Sequence, residues 1–186
     1  MRLACAVAVV FACFVAASTG INAAESAAPV GCRWKAIPEL KAHLAIPIGW
    51  KFKTAASGDA LIYEVRPAGR GFENSKALYR LEVRRGTEKT DVVDRARAFI
   101  EALRATAVDP PALEEQHIST LTLFSCFVRF APPANGDGGT AAVSSAANSR
   151  TGTIYTVQFD IPENELGIIA PLGNQLFREL KLDDEI

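Results

Sequence analysis

Over residues 44–52, 61–66, 77–85 and 153–161 apolar side chains recur at every second position, and over 91–104 the spacing changes to that of a helix. A period of two sends alternate side chains to opposite faces of an extended backbone, so each of the four segments reads as a strand with one buried face. In the first, Leu44, Ile46, Ile48, Trp50 and Phe52 alternate with Ala45, Pro47, Gly49 and Lys51. Pro47 confines part of that strand to an edge. Leu61, Tyr63 and Val65 are the apolar set of the second strand; Ala77, Tyr79, Leu81 and Val83 are that of the third, with Leu78, Arg80, Glu82 and Arg84 opposite. Ser57-Gly58-Asp59 and the Gly-containing stretch 67–75 supply turn and hairpin connections. Runs of hairpin-joined strands exclude a repeated parallel βαβ design and predict an antiparallel sheet with helices packed on it.

In the helical segment Val92, Val93, Ala96, Phe99, Ile100 and Leu103 fall on one stripe, with Asp91, Asp94, Arg97, Glu101 and Arg104 opposite. Thr90 or Asp91 can cap its start, and Pro110-Pro111 prevents its continuation. Residues 118–130 are apolar on both parities, which predicts a central strand with layers on each side. The stretch 131–150, mostly Ala, Gly, Ser, Asn and Pro, reads as a long mobile hairpin loop, 131–151 at its widest. After Pro162, Leu166, Ile169, Leu176, Phe177 and Leu180 keep helical spacing, interrupted by Pro171 and Gly173. The expected order is βββαββα, an α+β fold.

The N-terminus constrains location instead of fold. Arg2 precedes an apolar run, residues 3–17, and small residues around Ala23, Ala24, Ala27 and Ala28 follow, which is the layout of a cleaved export signal over 1–24. The run is shorter than the ~20 residues needed to span a bilayer, and Cys5, Cys13 and Cys32 are badly placed for lipidation. The expected compartment is the periplasm or the extracellular space. Removing 1–24 leaves about 160 residues, the size of one domain: an arm over 25–43 and a body over 44–186.

The formal charge of −1 on the whole chain gives no reason to expect a nucleic-acid partner. It is unevenly spread. Residues 66–97 hold nine basic and five acidic side chains, and 160–186 hold seven acidic and two basic. The two stretches either form solvated faces that offset each other or steer a partner.

Cleavage would leave Cys32 and Cys126, which allow one disulfide. That bond would close a loop of about 94 residues and contribute about 4–5 kcal/mol in the chain-entropy view. The alternative is a buried, inert Cys126 and a reduced Cys32.

Catalytic and metal motifs are absent: there is no C-x-x-C, H-E-x-x-H, P-loop or dinucleotide fingerprint, and Ser125 lies in no nucleophile elbow. His43 and His117 each stand at a strand start; Glu114 and Glu115 beside His117 make a weak surface metal site conceivable, although the expectation is no catalytic residue, metal or cofactor. Gly136–Gly139 reads as a loop tip and Asp183-Asp184-Glu185 as a solvated terminus.

Ile46-Pro47-Ile48-Gly49-Trp50-Lys51, the helix after the third strand, the long hairpin over 118–161 and the closing helix with its acidic tail together resemble the PsbP-like family, which includes DcrB-type envelope proteins and a Ran-binding import factor. The resemblance implies an α/β/α sandwich on an antiparallel sheet, serving as a non-enzymatic accessory or binding module. The expected activity is binding of an envelope protein or small ligand through loops, as a monomer or weak dimer. Alternatives of other classes are an envelope hydrolase using Glu64 and Glu82 with a histidine, and a self-associating structural protein.

Overall fold

In a computed structural model, residues 27–69, 74–86, 91–118, 120–130, 139–169 and 171 are described. Residues 1–26, where the export signal is expected, and most of the segment after Ile169, where the closing helix is expected, lie outside them. Among the described residues no helix is long and apolar enough to cross a membrane.

β1 (Cys32–Ile37) and β2 (Ala42–Pro47) form a two-stranded antiparallel hairpin around a 3₁₀ turn, Pro38–Leu40. Then follow β3 (Lys51–Ser57), β4 (Ala60–Arg66), β5 (Leu78–Arg84), α1 (Val92–Arg104), β6 (Glu114–Ile118), β7 (Leu121–Phe130), β8 (Gly139–Asn148) and β9 (Thr153–Pro162). These seven strands make one antiparallel sheet in the order β3-β4-β5-β9-β8-β7-β6. Two meanders therefore meet at β5 and β9, and α1 carries the chain from β5 to β6 at the far edge.

Alternation along the strands gives the sheet two different faces. On one, Tyr63, Val65, Tyr79, Leu81, Val83, Tyr155, Val157 and Phe159 are buried against Ile37, Leu40, Leu44 and Ile46 of the hairpin and against Ile169 in the helical turn after β9. On the other, Phe124, Cys126, Val128, Ala141, Val143 and Ala147 are buried under Val92, Ala96 and Ile100 of α1. At ~25 cal/mol per Å² of apolar area these two layers supply most of the drive to fold. The α+β class and the sheet with layers on both faces agree with the sequence-based expectation, although Phe99 is exposed and leaves the helix stripe one residue narrower.

Four local readings differ. The alternation over 44–52 runs straight through a turn: Trp50 N–H donates to the Pro47 carbonyl at 3.1 Å, and Gly49 has φ +88°. Ile48, apolar and in phase with its neighbours, is 70% exposed at the corner. Period two survives because one strand ends and the next begins on the same parity. The stretch 25–43, expected as an arm, holds β1 and the start of β2. The both-parity segment 118–130 holds the last residue of a separate edge strand, β6, and then β7, which is second from the edge instead of central; α1 covers Phe124, Cys126 and Val128, while on the other face Leu121 and Leu123 are buried and Phe127 is partly exposed.

The largest difference falls within 131–151. Residues 139–148, expected to lie in a mobile loop, form β8, and every residue of β8 from Thr140 to Asn148 is buried. Small side chains are there because both layers press on this strand, α1 most closely of all. Residues 131–138 lie outside the described set. The anticipated Cys32–Cys126 bond is not formed. Cys32 lies opposite Pro47, on the hairpin face away from Leu44 and Ile46, whereas Cys126 is beneath α1 on the far side of the sheet. Burial pushes the Cys126 thiol pKa up, against the pull of the Arg104 charge.

Candidate functional surface

α1 covers β7, β8 and the margin of β9. The same face of the sheet continues over β5, β4 and β3 without a helix, and here charged side chains surround a small apolar patch in which Ala60 and Ile62 are buried. Register places Lys51 beside Arg66, Lys53 beside Glu64, Glu64 beside Arg80, Arg80 beside Gln158 and Leu78 beside Asp160. Five basic side chains (Lys51, Lys53, Arg66, Arg80, Arg84) share this half-face with three acidic ones (Glu64, Glu82, Asp160).

The charges are knitted together. Arg80 Nη2 donates to Glu82 at 2.9 Å and Arg84 Nε to the same carboxylate at 2.8 Å, so Glu82 is clamped between two guanidinium groups. Arg84 also reaches Asp59 in the β3–β4 turn at 3.8 Å, and Arg66 reaches Glu64 at 3.3 Å. Gln158 Nε2 donates to Asp160 at 2.7 Å. Burial raises the Asp160 carboxyl pKa, while that hydrogen bond and the Arg80 charge pull it back down. Arg80 Nε is buried with no hydrogen-bond partner, so its guanidinium holds unused donor capacity.

The residues considered for hydrolysis are not assembled. Glu64 and Glu82 share this half-face, but each is engaged by arginine. His117 sits on β6, four strand spacings from β5, or about 19 Å. His43 is on the hairpin, with its ring edge-on to Trp34 at 6.5 Å between centroids. On β6, His117 Nε2 is 3.2 Å from Glu115, which also accepts from Arg97 at 2.8 Å, whereas alternation sends Glu114 to the opposite face. Among the described residues no three His, Cys, Asp or Glu side chains converge as a metal would need.

Sequence reasoning identified the basic surplus over 66–97 but not that Arg66, Arg80 and Arg84 share an uncovered sheet face, nor that Lys51, Lys53, Gln158 and Asp160 join them. The usable signal was in β5. A strand that alternates Tyr79, Leu81, Val83 with Arg80, Glu82, Arg84 requires one open face wherever it sits in a sheet.

An antiparallel sheet with a β-hairpin on one face and a helix on half of the other is the PsbP-like fold. The solution structure of cyanobacterial PsbP (CyanoP) from Synechocystis superposes with TM-score 0.55 at 13% identity, covering 89% of this chain and 99% of that one. The Ran-binding protein Mog1p of Saccharomyces cerevisiae gives 0.50 at 11% identity, over 81% and 95%. A protein of Bacteroides thetaiotaomicron gives 0.51 at 10% identity over 82% of this chain, which spans about half (49%) of that protein's length. No protein-family model and no curated protein matches the sequence.

Proposed function

We propose that the chain is a non-enzymatic accessory protein, exported to the cell envelope, that binds a protein partner through the open charged half of its sheet. The observation that carries this reading is the lattice around Arg80, Glu82 and Arg84. Exposed ion pairs contribute only about 0–1 kcal/mol each. Stability alone would favour covering β4 and β5 with apolar contacts, as α1 does for β7 and β8. A flat, mixed-sign surface with a basic surplus suits a partner of complementary charge, for which it provides register and specificity. Two further points support the reading: Mog1p, which shares the fold, is a Ran-binding protein, and neither His43 on the hairpin nor His117 on β6 lies beside the carboxylates Glu64 and Glu82. The small-residue stretch expected to bind through a loop is largely the buried strand β8, which moves the binding surface to the sheet.

The test pairs binding with location. Lys51→Glu with Lys53→Glu, at exposed positions of the same half-face, should melt within a few degrees of the parent yet lose the partner that the parent retains from envelope extract; retention of the same partner in equal amount sinks the surface assignment. N-terminal sequencing of protein from the periplasmic fraction should begin near position 25, and a cytosolic chain that keeps Met1 sinks the export assignment.

A further inference from the structure

Two β-turns with the same pattern, Pro-aliphatic-Gly, stand side by side at the open end of the β1–β2 hairpin. In Pro29-Val30-Gly31-Cys32 the Cys32 N–H donates to the Pro29 carbonyl at 2.9 Å, and Gly31 has φ +79°. In Pro47-Ile48-Gly49-Trp50 the Trp50 N–H donates to the Pro47 carbonyl at 3.1 Å, and Gly49 has φ +88°. Val30 and Ile48 keep negative φ, so both turns are of type II. The Ile48 N–H donates to the Gly31 carbonyl at 2.8 Å and locks one turn to the other.

Each turn therefore holds an aliphatic side chain at its outer corner, Val30 at 100% exposure and Ile48 at 70%. Exposed apolar residues scattered singly are ordinary. Here the same class of side chain fills the same corner of two turns bonded to each other, and together they make a protruding apolar point. The charge around it has one sign. Residues 27–53 hold five basic side chains and one acidic, Glu39, which lies at the opposite end of the hairpin and is bonded to Tyr63. Exposed Arg33 directly follows the first turn, exposed Lys51 directly follows the second, and exposed Arg66 stands opposite Lys51.

We propose that this twin-turn point is a membrane contact. Val30 and Ile48 enter the boundary between headgroups and acyl chains of an anionic bilayer, and Arg33, Lys51 and Arg66 meet the lipid phosphates. The shape selects lipid over a pocket in another protein. Protein interfaces are anchored by aromatic rings and directed hydrogen bonds. Neither corner carries a ring, and the N–H and carbonyl groups that close the turns are already bonded within the hairpin. A bilayer needs neither: it takes up apolar side chains by their area and adds attraction between anionic lipid and basic residues. The contact is separate from the charged half-face and does not depend on what binds there.

The test is co-sedimentation with vesicles, using protein recovered from the periplasmic fraction. Vesicles of phosphatidylethanolamine with phosphatidylglycerol should bind it half-maximally at about 1 mM lipid and release it at high salt, and vesicles of phosphatidylcholine alone should bind it about tenfold more weakly. Val30→Ser with Ile48→Ser should weaken binding about tenfold at an unchanged melting temperature, since both side chains face water in the free protein. Val30→Leu with Ile48→Leu should keep it. Arg33→Glu, outside the charged half-face, should weaken binding to the anionic vesicles yet leave capture of a protein partner unchanged, so the membrane contact and the partner surface fail separately. No binding to the anionic vesicles, binding undiminished by the serine pair, or equal binding to the two kinds of vesicle would each overturn the proposal.

Discussion

Tyr63 on β4 donates its hydroxyl hydrogen to Glu39 Oε1 at 2.9 Å, which ties the main sheet to the tip of the β1–β2 hairpin. The Glu39 carbonyl accepts a second bond from Arg85, just after β5. The hairpin tip is thus fastened by polar contacts at its turn and by Leu40, Leu44 and Ile46 along its inner face. A hydrogen bond to a charged group contributes about 1.5–3 kcal/mol net, so Tyr63→Phe should lower unfolding free energy by about 1–2 kcal/mol, read by urea denaturation.

The same phenol makes the protein sensitive to alkali. Burial first, then the Glu39 carboxylate, hold the Tyr63 pKa well above the usual phenol range, and burial does so for Tyr79. Both groups keep their protons in the folded state after the unfolded chain has lost them. Stability is therefore full below about pH 10 and falls as pH rises toward the folded values, by about 1.4 kcal/mol per pH unit for each tyrosine. The Tyr63→Phe variant, less stable at pH 7, should show a shallower decline above pH 10. Parallel decline in both proteins would mean that Tyr63 ionises equally in the folded and unfolded chains.

Gly49 is the pivot between hairpin and sheet. Its φ of +88° is a left-handed conformation that a side chain disfavours, and a Cβ there would meet the Ala68 carbonyl oxygen at 3.4 Å. Gly49→Ala should cost about 1–2 kcal/mol. Exposed Ile48, one residue earlier, should accept Ile48→Thr within about 0.5 kcal/mol. Equal cost at both positions would show that the turn is not what demands glycine.

Where bulky residues alternated, the sequence disclosed the strands: Leu61-Tyr63-Val65, Tyr79-Leu81-Val83 and Tyr155-Val157-Phe159 all line the hairpin-side core. The helix was equally legible, because Val92, Ala96 and Ile100 fix its buried stripe. The polar half-face was written in the same strands, in Glu64, Arg66, Arg80, Glu82 and Arg84, yet which part of it α1 leaves open is a matter of chain path that periodicity does not encode. The turn at Gly49 was hidden by parity, since Ile48 is apolar but points to solvent. β8 was hidden for the opposite reason: its side chains are small because two layers close on it, and smallness in sequence looks like a loop.

That reading of β8 makes a sharp prediction. Ala141 is fully buried under α1, so Ala141→Leu should destabilise by about 1–3 kcal/mol through overpacking, whereas Ala98→Leu on the exposed side of α1 should change stability by less than about 0.5 kcal/mol. Deleting 135–147, harmless to a surface loop, would remove most of the strand that joins β7 to β9 and should abolish the cooperative thermal transition. A deletion that still melts cooperatively would show that β8 is dispensable.

Asp160 gives the same sign of pH dependence in an acidic window. Burial raises its carboxyl pKa despite the Gln158 hydrogen bond and the Arg80 charge, so the folded chain holds this proton more tightly than the unfolded chain does. Its contribution is most favourable below the unfolded carboxyl value near pH 4 and becomes a cost once pH passes the raised folded value, where an ionised group sits half out of water. Asp160→Asn keeps the shape and removes that cost. The variant should be more stable than the parent at pH 7, with the difference shrinking toward pH 3, as followed by urea titrations at several pH values. A loss of stability at pH 7 would instead mean that attraction to Arg80 outweighs desolvation, making Asp160 a working member of the charged lattice and not a strained one.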